Sequence, residues 1–292
     1  MNTSGFDFRE EKNKIEKGVL YLVATPIGNM SDISERALKV LEGVDRIAAE
    51  DTRNSGKLLS YYGIKQNYIS YHEHNKAEVG GRIVDMLKNG ESIALITDAG
   101  MPAISDPGED LVRLCAENDI KITCVTGACA LTTALVLSGL NTRRFSFEGF
   151  LSAQSSERKA FLEKIKDDER TLIFYEAPHK LRVTLEDMLV AFGNRKIALC
   201  RELTKLNEEI CRTTLEQAVE LYKVKDPRGE YVLVIEGADN KKEADWTNLS
   251  VDEHIDFYIN TFGMSKMDAI KKVAKDRGVS KGDIYKLTIN KK

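Results

Sequence analysis

The feature that most constrains this chain is a repeated alternation of short apolar runs, each long enough for one strand, with stretches that have the period of an amphipathic helix. The runs fall near Val19-Ala24, Arg46-Ala49, Tyr68-Tyr71, Ile93-Thr97 and Ile122-Val125. The first of them, Val19-Leu20-Tyr21-Leu22-Val23-Ala24, is apolar without interruption, as a strand buried on both faces must be. Such alternation predicts right-handed βαβ units and a parallel sheet. After the connector Gly139-Leu140-Asn141-Thr142-Arg143-Arg144 the rhythm changes. Runs follow near Phe145-Phe150, Thr171-Tyr175, Ile197-Arg201, Glu209-Thr213 and Tyr231-Glu236, and two successive ones leave no room for a helix, so at least one antiparallel pair is expected. The expectation is an α/β chain of two α/β domains, the first (18–140) with a parallel sheet and the second (141–238) with a mixed one. A flexible tail over 1–17 precedes them, and a linker with a helical extension occupies 239–292. The helical stretch Ala128-Leu137 carries few charges and is expected to be buried.

Two loops stand out as ligand-binding candidates. Ala24 runs into Thr25-Pro26-Ile27-Gly28-Asn29 ahead of the helical pattern of Ser34-Leu41. Ile93-Thr97 runs into Asp98-Ala99-Gly100-Met101-Pro102-Ala103-Ile104-Ser105-Asp106-Pro107-Gly108. Gly100 permits backbone geometry that a β-carbon hinders, Asp98 offers a carboxylate at a strand end, and Asp106-Pro107 suits the N-cap and N1 positions of a helix. An ordinary strand-to-helix connection has the same composition, and that reading stays open for either loop alone.

Length and composition allow a real core: 292 residues, 42% of them hydrophobic. The five cysteines, Cys115, Cys124, Cys129, Cys200 and Cys211, show no paired metal spacing. Their odd number suits a reducing compartment, and all five are expected as buried packing residues. No apolar stretch approaches membrane-spanning length and the first 17 residues lack an apolar core, so a cytoplasmic protein is expected. Net charge is −3, yet Gly263-Lys292 carries nine basic residues against three acidic ones, a surplus of six that leaves −9 on the remainder. A basic tail on an acidic body is a candidate phosphate contact, and equally a solvated lysine-bearing surface. Its helical patterns, Val251-Thr261, Ser265-Lys275 and a start at Ser280 after Gly278, have the form of a small nucleic-acid-binding appendage.

Seven blocks in order then carry a resemblance: Ala24-Thr25-Pro26-Ile27-Gly28-Asn29, Glu50-Asp51-Thr52-Arg53, Ser70-Tyr71-His72-Glu73-His74-Asn75, the Asp98-Gly108 loop, Phe147-Glu148-Gly149-Phe150, Phe174-Tyr175-Glu176-Ala177-Pro178-His179 and Arg201-Glu202-Leu203-Thr204-Lys205. From about Gly18 to Ala238 the chain resembles the tetrapyrrole methylase superfamily and, within it, bacterial 16S rRNA cytidine 2'-O-ribose methyltransferases. One block departs: where relatives look like Pro-Gly-Pro-Ser-Ala, this chain has Thr126-Gly127-Ala128-Cys129-Ala130.

The resemblance implies S-adenosylmethionine folded into the cleft between the two domains. Pro26, Gly28 and Asn29 would line one side, Asp98, Gly100 and Met101 another, with Cys129, Ala130 and Tyr175 nearby. It also implies a homodimer acting on 16S rRNA in the small ribosomal subunit. Cys129 reads as well as a core cysteine. Methyl transfer from a sulfonium is an in-line displacement that relies on alignment, with a carboxylate or lysine as an optional proton acceptor. Glu176, Glu202 and Lys205 are the catalytic candidates, each with an alternative role as a structural or RNA-positioning partner. RNA contacts are expected from Arg53, unless it pairs with Asp51, and from Lys266, Lys271, Lys272, Lys275 and Lys281, and a phosphate track from Arg143, Arg144, Arg158, Lys159 and Lys180, unless these are scattered surface charges. His72 and His74 share a strand face, but no further ligands follow, so no metal is expected. Two other readings remain: a methyltransferase for a tetrapyrrole or other small molecule, and a non-catalytic RNA-binding ribosome-assembly factor.

Overall fold

The computed structural model describes residues 14–239 and 249–289. In the first sheet, strands β1 (Val19–Val23), β2 (Arg46–Ala49), β3 (Tyr68–Ser70), β4 (Ile93–Ile96) and β5 (Lys121–Val125) lie in the order β3-β2-β4-β1-β5, all parallel. Helices α1 (Glu35–Gly43), α2 (Thr52–Tyr61), α3 (Lys76–Lys88) and α4 (Gly108–Glu117) alternate with them. Successive residues of a strand face opposite ways, and β1 uses both faces. Val19, Tyr21 and Val23 pack with Ala37, Val40, Leu41 and Leu59 of α1 and α2. Leu20 packs with Ile83, Val84 and Leu87 of α3 and Leu111 and Cys115 of α4. The uninterrupted apolar run is thus explained by helices on both sides.

The strand order positions the site. The chain leaves β1 past β4 to reach β2, and leaves β4 past β1 to reach β5, so the loops after these two neighbours diverge. A crevice opens where strand order reverses, at the carboxyl ends of the strands.

The second sheet comprises β6 (Phe145–Phe150), β7 (Thr171–Glu176), β8 (Lys196–Arg201), β9 (Glu209–Thr214) and β10 (Tyr231–Ile235) in the order β6-β7-β10-β8-β9. The β6–β7 pair is parallel and the other three pairs are antiparallel, the expected mixed sheet. The last strand of the chain sits in the middle, and every residue of β10 is buried. Leu172, Phe174, Ile197, Leu199, Leu233 and Ile235 face α6 (Ser155–Ile165), α7 (Leu181–Phe192) and α8 (Leu215–Val224). Ile173, Ala198, Cys200, Val232 and Val234 face Leu131, Ala134 and Leu135 of α5 (Ala130–Ser138). The low-charge helix therefore covers the second sheet, although it lies on the first-domain side of the expected boundary at residue 140.

Three expectations are corrected. Only Cys115 and Cys200 are buried; Cys129 and Cys211 are partly exposed and Cys124 is exposed, because β5 is an edge strand. Residues 1–13 of the expected tail lie outside the described residues, but Ile15 packs on the first core and the Glu16 N–H donates to the Tyr21 hydroxyl (2.8 Å). Arg158 is buried and paired with Asp187 at 2.7 Å, while Lys180 is turned inward onto Glu176 and the Leu151 carbonyl. These residues do not form an exposed phosphate track with Arg143 and Arg144.

The chain divides into two compact units at Ala238/Asp239. In the second, α9 (Val251–Phe262), α10 (Lys266–Asp276) and α11 (Lys281–Ile289) surround a core of Ile255, Ala269, Ile270, Val273, Ala274 and Ile284. Ser250 and Glu253 form a capping box at the start of α9, and Ser265 caps α10.

Candidate active site

The loops after β1 and β4 are tied together by paired backbone hydrogen bonds, Thr25 N–H to Gly100 O (2.9 Å) and Gly100 N–H to Thr25 O (3.1 Å). Gly100 lies in the left-handed region at φ +84°, and a β-carbon there would stand 3.1 Å from Ile27 Cγ2. Glycine is the residue that allows both at once. Further along, Asp106 Oδ1 accepts from the Ala103 N–H (3.0 Å) and the Gly108 N–H (2.7 Å). That carboxylate holds a loop in which Ala103 and Ser105 both have positive φ, a strained conformation that needs support. α4 begins one residue later than the Asp-Pro signal suggests, with Pro107 rather than Asp106 at its N-cap, and Asp106 accepts from the first helical N–H, that of Gly108.

Opposite this loop stand the ends of the second sheet. The Tyr175 ring packs edge-on to Phe147 and Phe150, at 4.9 and 5.5 Å, and burial pushes its phenol up to about 12. A cavity of about 490 Å³ lies between the two sets of loops. Its walls include Ile27, Met101, Ile104, Ala130, Phe150, Tyr175 and Leu203, with Glu50, Asp98 and Asp106 at the first-sheet side and Lys205 and Glu230 at the second. Apolar walls with a few convergent polar groups are the usual form of a small-molecule site.

Electrostatics divide the cavity. The Glu50 carboxyl is raised by burial and then by neighbouring Asp98 and Asp106. That of Asp106 is raised by burial against the pull of its backbone donors. Asn54 Nδ2 donates to Asp98 Oδ2 (3.2 Å). Across the cavity, Lys205 Nζ bridges Glu202 Oε1 (2.9 Å) and Glu230 Oε2 (2.8 Å). Burial lowers the proton affinity of Lys205, but the hydrogen bonds to Glu230 and Glu202 outweigh it, and the net shift is upward.

Of the residues singled out from sequence, Asp98, Gly100, Met101, Cys129, Ala130, Tyr175, Glu176 and Lys205 line this one cavity. Pro26, Gly28, Asn29 and Glu202 do not. A β-carbon on Gly28 would meet Lys205 Cγ, stand 2.9 Å from Thr204 Oγ1 and stand 3.1 Å from Leu203 O. The Asn29 N–H donates to Thr204 Oγ1 (3.0 Å), so the Gly28-Asn29 segment clamps the two halves together behind the cavity. Glu202, at φ +51°, holds Lys205 and accepts the Glu230 N–H (3.0 Å). Glu176 is buried and fully engaged: its carboxylate takes the Thr184 hydroxyl (2.6 Å), the Ala177 N–H (2.8 Å) and Lys180 Nζ (3.1 Å). Sequence reasoning gave no role to Glu50 or Glu230. Glu50 was visible as the residue after a buried strand; Glu230 had no signal, because only the central placement of β10 brings it here.

Arg53 is exposed and paired with Asp51 at 3.0 Å; hydrogen bonds from the Arg53 side chain and N–H hold the Asp51 carboxyl down near 2. Asp51 also caps α2, so the pair has a structural role. In the C-terminal unit Lys266, Lys271, Lys272, Lys275 and Lys281 are all exposed. Lys271 pairs with Asp268 and Lys272 with Asp276. Among the described residues no cluster of three His, Cys, Asp or Glu side chains could hold a metal, and no helix is long and apolar enough to cross a membrane.

The family model for Tetrapyrrole (Corrin/Porphyrin) Methylases matches residues 19–219. The ribosomal RNA small subunit methyltransferase I of Halalkalibacterium halodurans is 49% identical over 275 residues, 93% of this chain and 95% of that protein. Its counterpart in Haemophilus influenzae is 46% identical over 272 residues, 92% of this chain and 95% of that one. Among solved structures, uroporphyrin-III-C-methyltransferase from Thermus thermophilus matches with a TM-score of 0.54 at 19% identity, over 75% of this chain and 94% of its own, a likeness of fold. The chain belongs to the tetrapyrrole methylase family and, within it, to the ribosomal RNA small subunit methyltransferase I group.

Proposed function

We propose that this chain transfers the methyl group of S-adenosylmethionine to the ribose 2'-hydroxyl of a cytidine in the decoding region of 16S rRNA, acting on the small ribosomal subunit. The observation that carries the reading is the cavity of about 490 Å³ at the strand-order switch point, in a chain whose relatives are named as small-subunit rRNA methyltransferases. Its size lies within the roughly 300–1,000 Å³ typical of sites for drug-sized ligands. The homodimer and cytoplasmic location implied by the resemblance belong to the same proposal.

The residues present fit the cofactor. Bound here, S-adenosylmethionine supplies an electrophilic methyl group on a sulfonium. Asp98 and Glu50 offer carboxylates to its hydroxyl and ammonium donors, Gly100 and Met101 bring backbone close, and Phe150 and Tyr175 supply apolar walls. The start of α5 at Ala130 presents backbone N–H groups suited to a carboxylate. The departure at Thr126-Ala130 does not touch the backbone N–H groups of α5 and adds N–H donors at Thr126 and Ala128 that proline lacks, while Cys129 stands where relatives look to have serine.

The catalytic candidates take positioning roles in this reading. The Thr184 hydroxyl, the Ala177 N–H and Lys180 hold the Glu176 side chain in place, so it fixes the Ala177-Pro178 turn. Lys205 is kept protonated by two carboxylates and serves as a charge facing the nucleic acid, oriented by Glu202. Alignment of the ribose oxygen with the methyl group, rather than a strong base, then provides most of the rate. The exposed lysines of the C-terminal unit favour RNA over a tetrapyrrole.

The test uses purified chain, methyl-labelled S-adenosylmethionine and small subunits from cells lacking this protein. Label should appear in an alkali-resistant dinucleotide beginning with cytidine, because a 2'-O-methyl group blocks alkaline cleavage. Label released as a mononucleotide would mean base methylation. A chain that binds subunits but shows no calorimetric signal with S-adenosylmethionine would be the non-catalytic assembly factor.

A further inference from the structure

A second cavity, of about 560 Å³, is lined by Arg201, Glu202, Asn207, Lys225, Asp226, Arg228, Gly229 and Tyr231. It shares a wall with the first: Tyr231 lines both, and Glu202 of the second is hydrogen-bonded to Lys205 of the first at 2.9 Å. Apart from Gly229 and Tyr231 its lining residues all carry charged or amide side chains, with their aliphatic stems forming part of the wall.

The charges are unbalanced. Arg201 and Lys225 both lean on a single carboxylate, Glu209, at 3.0 and 2.8 Å, a surplus that the two carboxylates on Lys205, Glu202 and Glu230, offset, so the net positive charge is that of Arg228. Asp226 is taken by Arg182 at 2.7 Å, from outside the lining, and Glu202 is engaged by Lys205. The Arg228 guanidinium has no ion pair or hydrogen bond among the described residues, and the residue is exposed. Its backbone is nevertheless fixed, because the Arg228 N–H donates to the Tyr231 hydroxyl (3.3 Å). The next residue, Gly229, sits at φ +75°, where a β-carbon would fall 2.5 Å from Glu202 Cδ. Loop tip and cavity wall are thus locked together, holding a planar cationic fork in the wall of a pocket whose other charges are paired. That is the donor geometry suited to phosphate oxygens.

We propose that this second cavity holds a backbone phosphate of the RNA next to the nucleotide being methylated, with Arg228 as the principal contact and Arg201 and Lys225 supporting it. The proposal rests on the rRNA reading above and names the part of the surface that grips the substrate strand. Because the wall is shared, a phosphate held here sets the distance at which the adjoining ribose enters the first cavity. Lys205, bridged to Glu202 and Glu230, stands between the two.

Arg228→Ala, Arg228→Glu and Arg228→Lys test it in the full chain, with small subunits as the probe and filter retention and initial rates as the readouts. One lost phosphate contact removes roughly one unit from the slope of log affinity against log salt, or about tenfold in affinity at 0.1 M relative to 1 M salt. Arg228→Ala should therefore raise KM for subunits about tenfold at 0.1 M salt and flatten the slope. Turnover at saturating subunit and the calorimetric Kd for S-adenosylmethionine should stay near wild type. Arg228→Glu should bind more weakly still, and Arg228→Lys should recover part of the loss. A wild-type chain that neither retains nor methylates subunits overturns the functional reading and this site together. A competent wild type whose Ala and Glu variants match it in KM and slope overturns the site alone. The site is likewise overturned if the pocket binds inorganic pyrophosphate in calorimetry while subunit affinity ignores residue 228, since the anion is then a free one.

Discussion

Replacing Glu176 separates a structural carboxylate from a catalytic one. In Glu176→Ala, Lys180, whose side chain is 17% exposed, loses its ionic partner, and the Thr184 hydroxyl and Ala177 N–H lose their acceptor. Removing one member of a buried pair costs about 3–5 kcal/mol. Lys180 keeps the Leu151 carbonyl at 3.0 Å, which places the expected loss at the lower end, about 3 kcal/mol. For a unit of this size that lowers Tm by roughly 6–12 °C. Glu176→Gln keeps the shape: its carbonyl can still accept from Ala177, and its amide can donate to a Thr184 hydroxyl turned round. It should lose only about 1–2 kcal/mol, the cost of weakening a hydrogen bond to a charged group. Thermal unfolding of both variants, with single-turnover methyl transfer at a temperature where both are folded, supplies the assay. Wild-type Tm in Glu176→Ala refutes the structural role. A normally folded Glu176→Gln whose single-turnover rate falls more than about a hundredfold, at the scale of general-base loss, refutes the exclusion of Glu176 from proton transfer.

Asp98→Ala should weaken S-adenosylmethionine binding by about 1–3 kcal/mol in calorimetry with the fold intact, the range for a hydrogen bond involving a charged group; unchanged affinity would remove Asp98 from the site. Gly28→Ala should destabilise the first unit by about 1–3 kcal/mol through overpacking against Leu203-Lys205, read as a lower Tm with disturbed cofactor affinity. The folded-state proton affinity of His254 is lowered by burial and then by Arg277. The stability it contributes is therefore present above its unfolded pKa of about 6.5 and is lost as pH falls from there toward its folded pKa. Protection factors of the amides in α9 and α10, taken relative to the intrinsic exchange rate at each pH, should fall from pH 7.5 to 5.5, and equal protection at both values would count against the assignment. Truncation after Ala238 should leave cofactor binding near normal, weaken subunit binding and flatten its salt slope by roughly one unit per lost contact.

Local pattern made most of the fold legible. The apolar runs mark where strands lie, and β1 could be read as covered on both faces because no polar residue interrupts it. The central position of β10 was not readable, since pairing between β7 and β8 is a long-range choice that its own five residues do not encode. Nor was the attachment of α5 to the second sheet, because an uncharged helix shows no direction of burial. In the site, Asp98 and Gly100 were found through strand-end and turn signals, which are local, whereas Met101, Cys129 and Ala130 came in through the family resemblance. Gly28 was assigned to the ligand by the family resemblance, yet it is needed for close approach to Leu203-Lys205, some 175 residues away in sequence. Arg158 looks like a surface charge in sequence, and Glu176 reads either as a catalytic carboxylate or as a structural partner. Only the partners supplied by α7, Asp187 and Thr184, explain their burial.

The central claim, methylation of a ribose in small-subunit rRNA, is tested most directly by mass mapping of that RNA from cells with and without this protein. The account predicts that one 2'-O-methylcytidine in the decoding region disappears when the protein is absent and returns when the wild-type chain is restored. An unchanged set of ribose methylations in the two strains would contradict it.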